Sequence, residues 1–193
     1  MSPIHRRRLL TLGAASWLTP AARAAAVDAD PVRRGRPLVF PRDHGAHPGA
    51  RTEWWYATGW LGQSETPSHG FQVTFFRSRT GLATTLPGRL APRQLLFAHA
   101  AVTDLAAGRH WHDQRIVRWN GEPAGASPSH VGAATDDARV WIGPWTMQRD
   151  GDGWRARVDS GHARAPWSLA LALQRTQPLL LQGDAGFSRK GPE

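Results

Sequence analysis

The run Ser168-Leu169-Ala170-Leu171-Ala172-Leu173 sets three leucines on one side of an extended chain and a serine and two alanines on the other. Successive side chains of a strand point to opposite faces, so this strict alternation reads as a strand with one buried and one open face. Gln72-Val73-Thr74-Phe75 carries the same sign. Outward from these two, short apolar or alternating runs recur at Leu38–Phe40, Glu53–Leu61, Gly70–Arg77, Gln94–Asp104, His110–Trp119, Arg139–Gln148, Trp154–Asp159 and Pro166–Gln174, with Gly, Pro and Asp between them. Asp150-Gly151-Asp152-Gly153 is good hairpin chemistry, and Ala106-Ala107-Gly108 can join the runs on either side of it. No later stretch keeps the 3.6-residue period of a helix. Eight short strands punctuated by turns imply an all-β, antiparallel fold, a sandwich or a barrel.

The first residues read as a leader rather than as part of that fold. Arg6-Arg7-Arg8 precedes the apolar run Leu9–Leu18, and Ala22-Arg23-Ala24 is a cleavage site of small-residue type. The apolar run is about half the roughly 20 residues a spanning helix requires, so cleavage is favoured over a stable membrane span. Arg6-Arg7-x-Leu9-Leu10 has the order of a twin-arginine address, which places the product in the periplasm or outside the cell. The expected organisation is a signal peptide over 1–24, a flexible lead-in over 25–37 and a β-domain over 38–182.

Charge and composition narrow the function. The formal net charge is +9, and loss of Arg6, Arg7, Arg8 and Arg23 with the leader brings it to about +5. The remaining arginines are interleaved with acids, so no nucleic-acid footprint is indicated. The absence of cysteine excludes disulfides, thiolate metal sites and a Cys nucleophile. About 170 residues remain after the leader, enough for one domain with a core. Ten Trp against one Tyr must be absorbed by that core or by a binding surface.

Glu53-Trp54-Trp55-Tyr56-Ala57-Thr58-Gly59-Trp60 is the segment richest in chemistry. Trp54, Tyr56 and Trp60 share one strand face, which reads either as core packing or as the wall of an aromatic-lined cavity for an apolar ligand. Trp55 and Leu61 share the other and are expected to need a separate cover. With Phe75, the residues Trp54, Tyr56 and Trp60 are the candidate ligand-binding side chains. Upstream, Asp43-His44-Gly45-Ala46-His47 sits in a Gly- and Pro-rich loop, where His44 and His47 could form an acid/base pair near Glu53 or serve as metal ligands, or else a solvated loop in which Asp43 caps a turn. His99 is a lone polar group in the apolar run Leu95–Val102 and is either a satisfied core histidine or a proton carrier. His110 and His112 share a strand face, but two ligands are not a metal site, and no metal or other cofactor is expected. Gly-x-Ser-x-Gly, phosphate-loop and dinucleotide motifs are absent.

Several strings together resemble a known family: Phe40-Pro41-Arg42-Asp43-His44-Gly45, Glu53-Trp54-Trp55-Tyr56, Gly70-Phe71-Gln72 with Phe75-Phe76-Arg77-Ser78-Arg79, Gln94–Ala100, His112-Asp113-Gln114-Arg115 and Leu181–Pro192. They are similar to the lipocalin-like family of carotenoid hydratases and exported predicted secreted hydrolases. The resemblance implies a calycin-type β-barrel handling an apolar, isoprenoid or lipid-like molecule, with hydratase or hydrolase activity or a non-catalytic carrier role. Glu53, His47 and His99 are the candidate catalytic residues on that reading, because protonating a C=C bond requires a positioned acid. Family members usually continue into a second, similar barrel, so residues 183–193 are expected to be a linker toward a second domain, and this half alone could be inactive.

Overall fold

The computed structural model describes residues 29–63, 65–81, 92–121, 130–161 and 165–188, and within them every paired strand is antiparallel. Residues 1–28, on which the signal-peptide reading falls, and residues 189–193 lie outside the described residues. A single 3-10 turn at Arg42–His44 precedes the first strand. β1 (Thr52–Gln63), β2 (Thr66–Arg79), β3 (Gln94–Asp104) and β4 (Arg109–Trp119) form one sheet in chain order. β5 (Val131–Ala133), β6 (Arg139–Ile142), β7 (Trp145–Asp150), β8 (Gly153–Ser160) and β9 (Trp167–Leu173) form the second.

The alternation that signalled the fold is realised as expected: Leu169 and Leu171 are buried while Ala170 and Ala172 are exposed. Both expected turns form, with Gly151 (φ +58°) in the β7–β8 hairpin and Gly108 (φ +61°) between β3 and β4. Three details depart from expectation. The run Arg139–Gln148 is two strands, because Gly143 adopts φ +57° and Pro144 carries no N–H, so the chain reverses there. β5 is only three residues long, too short to show a period. Leu38–Phe40 is not a strand: a cis Phe40–Pro41 bond leads from it into the 3-10 turn.

The core lies between the sheets, where Val73 and Phe75 of β2 and Leu96 of β3 meet Val140 of β6, Trp145 and Met147 of β7 and Val158 of β8. Fully burying a side chain of this size contributes roughly 1.5–3 kcal/mol. Arg115 of β4 crosses from one sheet to the other, donating from Nη2 to the Asp159 carbonyl (3.0 Å) with its guanidinium 5.1 Å from the Trp145 ring centre.

The two faces of β1 are the reverse of the expected arrangement. Glu53, Trp55, Ala57 and Gly59 turn toward the interior, whereas Trp54, Tyr56 and Trp60 are 50 %, 58 % and 68 % exposed on the outer surface. The small residues mark the packed side: a Cβ added to Gly59 would stand 3.3 Å from the Phe71 ring.

Candidate functional site

β1 and β9 are each an edge strand of their sheet, and a cavity of about 570 Å³ is lined from both sheets. Its first wall is the β1 segment from Thr52 to Ala57 and its second is Met147, Trp154, Ala156 and Leu173 of β7, β8 and β9. The loop Asp43–His47 closes one end. That loop is pinned to both sheets. Ala46 N–H donates to the Ala134 carbonyl (2.7 Å), and Gly45 approaches so closely that an added Cβ would sit 3.0 Å from the Ala134 and Asp137 carbonyl oxygens. On the other side, the Trp55 indole N–H donates to the His44 carbonyl (2.9 Å).

A chain of charged groups anchors the loop to the first sheet. Arg77 is completely buried, and its Nε donates to Glu53 Oε2 (2.7 Å), its Nη1 to Gln94 Oε1 (2.7 Å) and its Nη2 to the carbonyls of His47 (2.7 Å) and Ala50 (2.9 Å). Glu53 Oε1 accepts both the His47 backbone N–H and its ring Nδ1, each at 2.7 Å. The far ring nitrogen, Nε2, lies 2.9 Å from Asp43 Oδ1. Two carboxylates therefore alternate with an arginine and an imidazole that pairs through both nitrogens, which is how buried charge is kept compensated.

The environment sets the protonation of these groups. The Glu53 hydrogen bond holds the His47 imidazole above its usual range, burial opposes this, and Asp43 adds to it. The backbone N–H of Val39, followed by the bond to His47, keeps the Asp43 carboxyl below the usual carboxylate range. His44 goes the other way: burial, reinforced by the charge of Arg149, lowers it. Its ring packs 4.4 Å from Phe40 and 5.9 Å, edge-on, from Trp154, and among the described residues its nitrogens make no hydrogen bond. The cavity thus contains one imidazole, His44, whose charged form burial disfavours and whose nitrogens are not hydrogen-bonded, while the other imidazole is engaged through both nitrogens.

Of the residues singled out in the sequence, Glu53 and His47 meet at the cavity, and Trp54 and Tyr56 stand on its rim. Phe75 faces inward but is fully enclosed in the core. Trp60 and His99 lie on the outer face of the first sheet, where His99 Nε2 is 3.1 Å from Gln72 Nε2. His110 and His112 do share a face, with ring centres 5.9 Å apart and His110 Nδ1 2.8 Å from Thr103 Oγ1. Among the described residues no three His, Asp or Glu side chains are arranged to hold a metal ion. Sequence reasoning missed Arg77, Trp154 and Leu173. For Arg77 the signal was present, since it shares strand parity with the core residues Val73 and Phe75.

A search among curated proteins finds no match. Among solved structures, a putative AttH from Nitrosomonas europaea is similar at 39 % identity with a TM-score of 0.64, over 85 % of this chain and 46 % of that one. This chain therefore spans about half the length of that relative. The AttH-like family model matches residues 31–193, and at that extent, with a lipocalin-like antiparallel fold, the chain belongs to the AttH-like family.

Proposed function

We propose that this chain is an exported binding protein for an apolar, isoprenoid or lipid-like molecule, held in the cavity between β1 and β7–β9. The observation that carries this reading is the contrast inside the cavity: an apolar second wall, Met147, Trp154, Ala156 and Leu173, faces a single unengaged imidazole, His44. A volume of about 570 Å³ falls in the range of small-molecule sites, which are mostly apolar with a few placed polar groups. The lipocalin-like family supports the same role, and the Arg6-Arg7-x-Leu9-Leu10 leader supports export.

A carrier fits the charged groups better than an alkene hydratase does. Both Glu53 oxygens accept N–H donors, and His47 is clamped between two carboxylates, so neither is free to protonate a bound C=C bond. His99 is on the wrong face of its sheet to reach the cavity. One observation favours a second, hydrolase-type reading: a neutral His44 could accept a proton from water beside a bound ester.

Titration of the full chain with a fluorescent polyene fatty acid tests the proposal. Saturable binding with energy transfer from tryptophan is expected, together with no turnover of simple esters. Absence of binding would refute the carrier, and ester turnover lost in His44→Gln would establish the second reading.

A further inference from the structure

The outer face of the first sheet is unlike an ordinary solvated face. Cross-strand register places Trp54, Phe76, Phe97 and Ile116 in one row spanning all four strands. Phe76 and Phe97 stack at 4.6 Å with an interplanar angle of 10°, and Ile116 at the end of the row is 69 % exposed. Tyr56 and Trp60 extend the apolar area along β1. Contiguous apolar area of this kind marks an interaction site.

The charge on the face indicates which partner it fits. Between the Thr52–Arg118 row and the Trp60–His110 row no outward position holds Asp or Glu, while the guanidinium of Arg118 is there and the remaining polar positions are Ser, Thr, Gln and His. The chain keeps a net positive charge, about +5, without the four arginines of its first 24 residues. Trp and Tyr rings settle at the headgroup level of a bilayer, and basic side chains are drawn to anionic lipids. We infer that this face docks peripherally on an anionic membrane surface. Trp54 and Tyr56 belong both to the face and to the rim of the cavity, so docking would bring the cavity mouth beside the lipid. The docking itself does not depend on the cavity being occupied.

Co-sedimentation of the full chain with phosphatidylglycerol–phosphatidylcholine vesicles, and with phosphatidylcholine vesicles alone, tests this. Binding to the anionic vesicles, weakened about tenfold or more without phosphatidylglycerol and again by added salt, is expected. Neither Trp60 nor Ile116 lines the cavity, so a Trp60→Ser/Ile116→Ser double variant should lose vesicle binding while still taking up the polyene fatty acid. Arg118→Glu, which leaves the apolar row intact, should weaken binding by a smaller factor and serves if the double variant does not fold. Equal binding to both vesicle types, no binding to either, or binding untouched by these changes would overturn the inference. So would a dimer in sedimentation equilibrium that the Ile116 substitution dissociates, because the face would then be covered by a second copy.

Discussion

On the β1 side of the cavity, side chains are tied to one another by charge: Arg77, Glu53, His47 and Asp43 leave almost no donor or acceptor unused. On the β8 side, Trp154, Ala156 and Leu173 touch the same space, and none of their side chains carries a charge. The first wall is a structural clamp that ties the Asp43–His47 loop to the sheet, and the second is the surface on which the proposed apolar ligand would gain contact. The division also explains why two histidines three residues apart differ: His47 belongs to the clamp, and His44 faces the open space.

The largest effect should come from breaking the clamp at its centre. Arg77→Met removes the donor to Glu53, Gln94 and two loop carbonyls and strands a partly buried carboxylate, so a loss of about 3–5 kcal/mol is expected in denaturant unfolding. A loss under about 1 kcal/mol would show that the buried pair is dispensable. Gly45→Ala comes next. The new methyl would press on the Ala134 and Asp137 carbonyls, and an overpacking loss of about 1–3 kcal/mol is expected in the same measurement.

The smallest effect is a pH dependence that separates the histidines. His47 is raised in the folded state, so its stabilisation is complete below the unfolded value of about 6.5 and is lost as pH rises through the folded one. His44 is lowered, so its share is complete above about 6.5 and is lost as pH falls toward its folded value. Thermal unfolding of His47→Gln should therefore lose the alkaline decline, and His44→Phe the acidic one, each below about 1 kcal/mol. If His47→Gln left the alkaline limb intact, the clamp would not be what sustains it.

Part of this was legible in the sequence. The leucine alternation at 169–173 and the Gly151 and Gly108 turns are local, and they folded as local rules require. The direction of β1 was not, because a two-residue period defines two faces without saying which is buried. The large aromatics Trp54, Tyr56 and Trp60 pointed outward, while Gly59 made room for Phe71 on the packed side. The clamp depends on Arg77 and Glu53, 24 residues apart and brought together only by strand register. Glu53 and His47 were visible as ionisable neighbours, but that their bonds were already satisfied was not.

The central claim is that the apolar wall, and not the charged one, holds the ligand. The most direct test is titration of the fluorescent polyene fatty acid into wild type and Trp154→Ala, with the unfolding transition of each recorded. The structure predicts about tenfold or greater loss of affinity in Trp154→Ala with a cooperative fold retained. Unchanged affinity in that variant would contradict the account.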